Sequence, residues 1–433
     1  RARRMRSRSK KMAFPSRCAR LCLPCTLLAR SWGGKAASCQ DNTDGRTALY
    51  PGVCENRGGR EALYYGAYGS DRFGGGIGRR VGIDESSKKV LPGTGISRVA
   101  LFSESHEALR AWATADNLRK ATRIHKAAYF TRSENLVQEA VVERVRQHYV
   151  DATDYVAETP VQAALFRCED EEVVWNRSAS ELVTRIPSIV RGVFDERSER
   201  CVVDFANKRL GGAWLSYGCV QEEKMFIERF DYSALCARSL VEMEDPVSAP
   251  LASPFSMRPN EAWILRGGPA FAEVPWYGRT PGDAESRLRL LDPANDRSTM
   301  PTVLAIDAIK ADFDLYERQH LELMLIKAYT GFSAAVHDPD VGRSPTIATG
   351  SWGCGAFRNN ERVMFVIQTL AANLAGVELT YHVLADGHRL GPAFVFLEEA
   401  VHQGLTVAQS LDMLLERCIT DRDWRPKRPK RGR

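Results

Sequence analysis

The sequence lacks two features that would each assign it to a large class of proteins. No uninterrupted apolar segment approaches the length of about 20 residues that crosses a bilayer. The eight histidines have no ligand spacing, and the cysteines form no repeated CxxC pair. These absences predict a protein with no membrane partner and no metal site, and no cofactor is expected.

Acidic residues are absent from the first 40 positions, and basic residues are concentrated at both ends. Residues 1–11 contain seven basic side chains and residues 425–433 contain six, so the body between them is net acidic although the whole chain carries +6. The N-terminal composition is typical of a mitochondrial transit peptide or of a short secretory signal. The C-terminal run indicates a nuclear localisation signal, a nucleic-acid contact or a solvated terminus. The expected compartment is the nucleus or the cytoplasm, with mitochondria as an alternative.

Apolar periodicity divides the chain into four segments. Residues 1–95 have neither helical nor strand periodicity and are expected to be a disordered leader. Residues 96–198 contain helical apolar stripes and predict a helical accessory domain, in which a capping-box spacing at Ser178 and Glu181 predicts a helix start. Residues 199–420 alternate strand and helix patterns, which predicts an α/β domain, and residues 421–433 form a basic tail.

Within the α/β segment, short apolar runs predict strands and longer amphipathic patterns predict helices. The expected strands are 201–206, 262–265, 303–306, 346–348 and 377–383. The expected helices are 223–240, 315–328, 361–374 and 407–418. A sheet packed between helices follows from this alternation, but the alternation alone does not distinguish one α/β fold from another.

Polar residues and glycines follow the strand predicted at 201–206. The glycine pair permits backbone conformations that other residues avoid and lets a sugar or phosphate approach the main chain. Two adjacent carboxylates then stand at the start of a predicted helix, where negative charge is favoured. On these grounds alone the stretch indicates an acid site beside a glycine turn. Its residues are Asp204, Asn207, Gly211, Gly212, Gln221, Glu222 and Glu223.

A second glycine-rich stretch follows the strand predicted at 346–348. It reads Thr-Gly-Ser-Trp-Gly-Cys-Gly-Ala-Phe over residues 349–357 and precedes a helix predicted to begin near Asn359 or Asn360. Such a loop directs backbone N–H groups and a helix dipole at an anion. The stretch therefore indicates an anion-binding loop.

Together the two stretches resemble the signature of the poly(ADP-ribose) glycohydrolase family. In that family a strand ending in Asp-Phe-Ala-Asn leads into Gly-Gly-Gly and then Gln-Glu-Glu. A Thr-Gly-Asn-Trp-Gly-Cys-Gly-Ala-Phe loop wraps the diphosphate of ADP-ribose. This chain has the same order over 204–223 and 349–357. It departs at Ala213, where the third glycine is expected, and at Ser351, which replaces the asparagine.

The resemblance implies a fold, an activity and a partner. The fold would be a macrodomain-like three-layer α/β/α core with a mixed sheet, preceded by the helical accessory domain. The activity would be hydrolysis of ribose–ribose O-glycosidic bonds in poly(ADP-ribose) carried by modified proteins. The protein would be a monomer that acts in the DNA damage response and needs no metal.

The resemblance also implies roles for the residues of the first stretch. Glu223 would act as general acid and then as general base. Glu222 would orient the ribose beside the developing cation, and Gln221 would hydrogen-bond the substrate. Asp204 and Asn207 would hold the ribose or position the two glutamates. Gly211 and Gly212 would let the substrate lie against the main chain.

Residues of the second stretch would bind the rest of the ADP-ribose unit. Gly353, Cys354 and Gly355 would donate N–H groups to the diphosphate. Phe357 would pack on the adjacent sugar.

An aromatic loop at 271–278 lies between the two stretches. An exposed tyrosine beside a glycine offers a flat face on which an adenine can stack, and by the family's pattern this residue is Tyr277. The alternative is that Trp276 and Tyr277 both cover the core.

Two further functions would use the same pocket. A site with an impaired acid would bind ADP-ribose without hydrolysing it, and the departures at Ala213 and Ser351 are the reasons to consider this alternative. A hydrolase restricted to mono-ADP-ribose on proteins would differ in its leaving group only. The intact Gln-Glu-Glu at 221–223 favours hydrolysis over binding alone.

Overall fold

The computed structural model describes most of the chain after its first 87 residues. The described residues are 88–128, 136–155, 159–192, 199–215, 218–242, 255–294, 300–339, 346–384 and 387–427. The leader predicted over 1–95 therefore lies, up to residue 87, outside the described part. Among the helices that are described, none has both the length and the apolar character needed to cross a membrane.

One mixed sheet organises the described part of the chain. The strands are β1 (Lys89–Leu91), β2 (Ile96–Glu104), β3 (Val161–Cys168), β4 (Ser188–Arg191), β5 (Cys201–Ala206), β6 (Glu261–Arg266), β7 (Ala272–Glu273), β8 (Arg289–Leu290), β9 (Thr302–Asp307), β10 (Thr346–Thr349) and β11 (Glu378–Val383). Nine of them form the sheet in the order β1-β2-β3-β6-β9-β5-β10-β11-β4, while β7 pairs with β8 alone. Strands β9, β5, β10, β11 and β4 are parallel to their neighbours within this group. The five strands predicted after residue 200 are all present.

Helices connect most of these strands. They are α1 (His106–Trp112), α2 (Ala115–Ala128), α3 (Leu136–Asp151), α4 (Glu171–Ser180), α5 (Gln221–Glu228), α6 (Phe230–Val241), α7 (Ala284–Arg287), α8 (Arg318–His337), α9 (Glu361–Ala375), α10 (Gly391–Gln403) and α11 (Val407–Thr420). Short 3-10 turns cover Gly387–Leu390 and Arg422–Trp424. The single helix predicted at 223–240 is divided into α5 and α6.

Both faces of the sheet are covered because its inner strands point apolar side chains to both sides. In β9, Leu304 and Ile306 belong to one buried core, together with α8, α9 and α11. Val303 and Ala305 belong to the other core, together with α1, α2, α3, α5 and α6. The predicted three-layer α/β/α arrangement with a mixed sheet is therefore confirmed.

The segment 96–198 differs from the helical accessory domain that we predicted. Strands β2, β3 and β4 from this segment join the sheet, and helices α1, α2 and α3 form one layer with α5 and α6. The physical reason is visible in β3, where Ala163 and Leu165 enter one core and Ala164 and Phe166 enter the other. A strand that is apolar on both faces has no alternating pattern and is easily assigned to a helix.

The helix start predicted from Ser178 and Glu181 is wrong. Helix α4 begins at Glu171 and ends at Ser180, and Glu181 is its C-terminal cap. The chain then continues to β4, where Ile189 pairs with Tyr381 of β11.

The sheet order brings the two glycine-rich stretches together. Strand β5 lies between β9 and β10, and all three run in the same direction. The loops that follow β5 and β10 therefore leave the same edge of the sheet side by side. In parallel α/β sheets this edge, at the carboxyl ends of the strands, is where ligands bind.

A buried hydrogen-bonded cluster ties the first helices to α6. The hydroxyl of Tyr149 in α3 donates to Asp231 in α6 at 2.8 Å. His106 at the start of α1 lies 3.0 Å from the same carboxylate through Nδ1 and 3.1 Å from the Thr159 carbonyl through Nε2. All three side chains are buried. The cluster therefore holds α1 and α3 against α6, which directly follows the helix that carries the two glutamates.

Replacing Asp231 with alanine is expected to lower the free energy of unfolding by about 3 kcal/mol, because buried His106 and Tyr149 lose their acceptor. Urea unfolding of the full chain measures the change. Asp116→Ala is the matched control, since that side chain is 88% exposed on α2 and should change stability by less than about 0.5 kcal/mol. An equal loss in both variants would remove the cluster from this role.

Candidate active site

Glu222 is held at the end of β5 by two backbone N–H groups. The N–H of Asn207 donates to Oε2 and the N–H of Gly211 donates to Oε1, each at 2.8 Å. Glu222 is only 2% exposed. Its carboxylate therefore joins the strand end to the glycine turn that follows it.

Glu223 is held by the turn and by the start of its own helix. The N–H of Ala213 donates to Oε1 and the N–H of Val220 donates to Oε2, each at 3.1 Å. Val220 is the N-cap of α5 and Glu223 is the third residue of that helix, a position that favours a carboxylate. Glu223 is 8% exposed, so it is the more accessible of the two glutamates.

Burial raises the pKa of both carboxyl groups. The pKa of Glu222 is raised well above its usual range by burial first and then by the charges of Asp204 and Glu223. The pKa of Glu223 is raised by burial, against the lowering effect of the backbone groups that hydrogen-bond it. The like-charge effect between the two glutamates thus acts on Glu222. Each carboxyl group holds a proton at higher pH than it would in water.

The glycine turn has to be glycine because the carboxylates approach it so closely. A Cβ on Gly212 would lie 2.5 Å from Oε1 of Glu223 and 2.6 Å from Oε2 of Glu222, and the residue has a φ of +56°. Gly211 has a φ of +92°, and a Cβ there would meet Phe226 at 3.0 Å. We predicted that Gly211 and Gly212 let the substrate approach the main chain. The structure shows a second reason for glycine at both positions, which is the close approach of neighbouring side chains to a backbone with positive φ.

Ala213 does not need to be glycine in this backbone. Among the described residues, Arg358 alone has a positive φ without being glycine. Ala213 is also buried, and its N–H makes the bond to Glu223 described above. The departure from the family pattern at this position is therefore compatible with the turn.

Gln221 supports the strand that ends beside it. Its Oε1 accepts the N–H of Phe205 at 2.8 Å and its Nε2 donates to the carbonyl of Val203 at 3.2 Å. The side chain thus pairs with β5 as a neighbouring strand would. Its contact with substrate stays a prediction.

Asp204 and Asn207 lie where the sequence placed them, at the end of β5. Asp204 is fully buried within the strand and contributes to the raised pKa of Glu222. The side chain of Asn207 accepts the N–H of Arg209 at 3.2 Å, so it also stabilises the turn. The contacts of Asn207, whose N–H also bonds Glu222, fit the alternative in which this residue positions the glutamates.

His125 in α2 is a residue of the site that the sequence reasoning missed. Its Nε2 lies 2.9 Å from the carbonyl of Gly212, which can only accept, so Nε2 carries a proton. The Gly212 carbonyl shares a planar trans peptide with the Ala213 N–H, and the two groups point in opposite directions. His125 therefore orients the N–H that Ala213 donates to Glu223. No local sequence signal marks it, because the bond joins residues 87 positions apart.

In the aromatic loop, Trp276 covers the core and Tyr277 is the exposed ring. Trp276 is 7% exposed and covers the core, whereas Tyr277 is 66% exposed. The loop is fixed in front of α5 by reciprocal backbone bonds between Cys219 and Gly278, each at 2.7 Å. Partial burial, together with the charge of Glu223, raises the pKa of Tyr277. Tyr277 is thus an accessible ring beside the glutamates.

The second glycine-rich loop turns tightly after β10. The N–H of Trp352 donates to the Gly350 carbonyl at 2.7 Å, and the N–H of Cys354 donates to the Ser351 carbonyl at 3.1 Å. The N–H of Cys354 therefore has an acceptor inside the turn, in contrast to the expectation that it binds a diphosphate. Burial raises the pKa of the Cys354 thiol.

The glycines of this loop differ in their surroundings. Gly353 has a φ of +69°, and a Cβ there would lie 2.5 Å from the Cβ of Ala308. Gly355 is exposed, and a Cβ there would meet no atom within 4 Å. Of the three residues expected at the diphosphate, Gly355 has the most open surroundings.

Ser351 and Phe357 lie on either side of these glycines. The Ser351 hydroxyl donates to Glu361 at the start of α9 at 2.7 Å, which joins the loop to that helix. Phe357 is half-buried against the core, and its carbonyl accepts the N–H of Ala311 at 2.8 Å. Both residues stabilise the shape of the loop.

Comparisons with known proteins agree on one family. A family model described as "Poly (ADP-ribose) glycohydrolase (PARG), Macro domain fold" matches residues 173–389. Poly(ADP-ribose) glycohydrolase 1 of Caenorhabditis elegans is 27% identical over 230 residues, which is 49% of this chain and 26% of that protein. Poly(ADP-ribose) glycohydrolase 2 of the same organism is 26% identical over 220 residues, which is 49% of this chain and 43% of that protein. The chain thus matches less than half of either relative.

A solved poly(ADP-ribose) glycohydrolase from Thermomonospora curvata, bound to the inhibitor ADP-HPD, is also similar. It is 17% identical, with a TM-score of 0.36, over 60% of this chain and 98% of that one.

His125 is expected to make stability depend on pH. Burial, followed by the charge of Arg209, lowers its pKa from 6.5 to about 4, against the raising effect of the bond to Gly212. The unfolded chain therefore takes up this proton first as the pH falls. The stability that neutral His125 contributes is fully present above pH 6.5 and is lost as the pH falls from 6.5 to 4. From pH 7 to pH 4.5 this loss lowers the free energy of unfolding by about 2 kcal/mol.

Urea unfolding at these two pH values tests this expectation. In His125→Gln the amide can still donate to the Gly212 carbonyl but does not titrate, so the drop in stability should shrink by that amount. His402→Gln, on the exposed surface of α10, should leave the drop unchanged. If His125→Gln had the same drop as the parent, the histidine would not be the titrating group.

Proposed function

This chain belongs to the poly(ADP-ribose) glycohydrolase family, and from that membership we propose that it hydrolyses the ribose–ribose O-glycosidic bonds of poly(ADP-ribose) and releases ADP-ribose. The observation that carries the proposal is the pair of glutamates beside the glycine turn. Four backbone N–H groups hold Glu222 and Glu223, and burial raises the pKa of both. A carboxyl group that is protonated more readily than usual is what protonation of a leaving oxygen requires.

Glu223 supports both halves of the proposed reaction. In the first half, its protonated form gives a proton to the bridging oxygen while the bond from that oxygen to the anomeric carbon breaks and the ribose becomes oxocarbenium-like. In the second half, the resulting carboxylate takes a proton from the water that attacks the anomeric carbon. Glu223 is the more exposed of the pair, so we assign this role to it and not to Glu222.

Glu222 organises the site. It is bonded to the strand end and to the glycine turn, and it keeps the turn where Ala213 can bond Glu223. When it is ionised, its carboxylate beside Glu223 would also stabilise a developing cation on the ribose.

The remaining groups would bind the ADP-ribose unit. Tyr277 offers an accessible ring for the adenine, and the loop at 349–357 lies beside the acid site because β5 and β10 are neighbours. The N–H of Gly355 is the group of this loop best placed to reach a phosphate.

The alternative of a binding module without hydrolysis is weakened by the turn itself. Ala213 keeps its N–H on Glu223 without needing a glycine conformation. Ser351, the other departure, is bonded to Glu361 and preserves the loop.

The partner and compartment follow as part of the same proposal. The substrate would be poly(ADP-ribose) on modified proteins, met by a monomeric enzyme during the response to DNA damage. The basic residues of 425–433 support a location in the nucleus.

Glu223→Gln should reduce the release of free ADP-ribose from purified polymer by about 1,000-fold, because the amide can neither give nor take the proton. Calorimetry should still detect ADP-ribose binding, since the side chain keeps its size. Glu285→Gln, on the exposed surface of α7, is the matched control and should retain full turnover.

The same two measurements separate the alternatives. Retained turnover in Glu223→Gln would remove that residue from the acid role. Binding without release by the parent protein would identify a binding module. Release from mono-ADP-ribosylated protein but not from polymer would identify the more restricted hydrolase.

Tyr277→Ala should weaken ADP-ribose binding by about tenfold or more, because stacking on an aromatic side chain contributes about 1–3 kcal/mol per base. Tyr277→Phe keeps the ring and should bind like the parent. Ribose 5-phosphate has no base, so its binding should be the same in all three proteins. An unchanged affinity of Tyr277→Ala for ADP-ribose would place the adenine elsewhere.

A further inference from the structure

The segment after α11 returns to the candidate site instead of leaving it. Trp424 is buried and packs against Phe396 of α10, with ring centroids 5.6 Å apart. Asn360, the N-cap of α9, donates through Nδ2 to the carbonyls of Asp423 at 2.8 Å and Arg425 at 2.9 Å. Residues 421–427 are therefore fixed to the end of the glycine-rich loop, although the sequence predicted that they belong to a basic tail outside the α/β domain.

Lys427 contacts that loop at two points. Its backbone N–H donates to the carbonyl of Arg358 at 2.9 Å, and its Nζ donates to the carbonyl of Cys354 at 2.9 Å. Arg358 itself donates its N–H to the Gly355 carbonyl at 3.1 Å. The turn from Cys354 to Arg358 is thus held at both of its ends by one lysine.

The contact with Cys354 has a consequence for the next N–H group. The Cys354 carbonyl and the Gly355 N–H belong to one planar trans peptide and point in opposite directions. When the ammonium holds the carbonyl on its own side, the Gly355 N–H is directed to the other side. The space around Gly355 is open, since a Cβ there would meet no atom within 4 Å.

Arg358 indicates that the turn is held against its local preference. It is the described non-glycine residue with a positive φ, 61°, a conformation that is unfavourable for an L-residue. Its carbonyl is the acceptor of Lys427, and its guanidinium pairs with Asp312. Such strain persists where surrounding contacts fix it, and it is frequent at ligand-binding loops.

We propose that Lys427 is a positioning residue of the anion-binding loop. By holding the Cys354 carbonyl it directs the Gly355 N–H at a phosphate of the bound ADP-ribose unit. This inference rests on the proposed function, since it assumes that the loop receives the diphosphate. Segment 421–427 is then part of the substrate site.

Calorimetry on the full chain tests the role with two ligands. Lys427→Met should weaken ADP-ribose binding by about tenfold, because the Gly355 N–H is no longer held towards the phosphate and its hydrogen bond to the anion is weakened. Adenosine, which has no phosphate, should bind as it does to the parent. Lys427→Arg keeps a charged donor and should retain most of the affinity. Lys430→Met removes the same charge three positions later in the sequence and should have no effect.

The outcomes separate this inference from the proposed function. If the parent binds ADP-ribose and Lys427→Met binds it equally well, the role of Lys427 is refuted while the proposed function stands. Equal weakening of ADP-ribose and adenosine, or a lower unfolding midpoint in urea for both Lys427→Met and Lys427→Arg, would show a general structural contact and would also refute it. Absence of ADP-ribose binding by the parent would refute the proposed function itself.

Discussion

The structure depends on keeping two adjacent carboxyl groups out of water at the end of a central strand. Burying these carboxyl groups without partners would destabilise the fold, since an unpaired buried charge is strongly unfavourable. Backbone N–H groups from the strand end, the glycine turn and the helix start resolve this conflict by surrounding Glu222 and Glu223. The N–H groups point at the carboxylates only because Gly211 and Gly212 have positive φ values and because α5 begins at Gln221. The helices before β3 complete the arrangement, since they cover the same face of the sheet and supply His125.

The sequence predicted the elements whose signals are local. Apolar runs located β5, β6, β9, β10 and β11, and the two glycine-rich stretches located both halves of the site. Strand β3 was missed because it is apolar on both faces, and the helix start assigned to Ser178 failed because a spacing of three residues also occurs at a helix end. The bonds of Gln221 to β5, of His125 to Gly212 and of Lys427 to Cys354 join distant parts of the chain. Such pairings leave no periodic trace in a single sequence.

The two halves of the site follow one design. In each half, a side chain from a remote segment hydrogen-bonds a backbone carbonyl of a glycine-rich turn. The N–H of the same peptide then points the opposite way, towards Glu223 in the first half and towards the proposed phosphate in the second. His125 does this for the turn after β5, and Lys427 does it for the loop after β10. Neither contact requires the remote residue to touch the substrate. Substitutions within the turns, such as Ala213 and Ser351, can then be tolerated as long as the peptide planes are kept.

The position of Lys427 has a consequence for biosynthesis. Every strand of the described sheet is translated before this residue, and a domain generally folds as a unit once it has emerged from the ribosome. The loop after β10 therefore acquires its anchor only when the last described residues have been made. A nascent chain that stopped short of residue 427 would contain every strand of the sheet and both glutamates, but it would lack the lysine that orients the anion-binding loop.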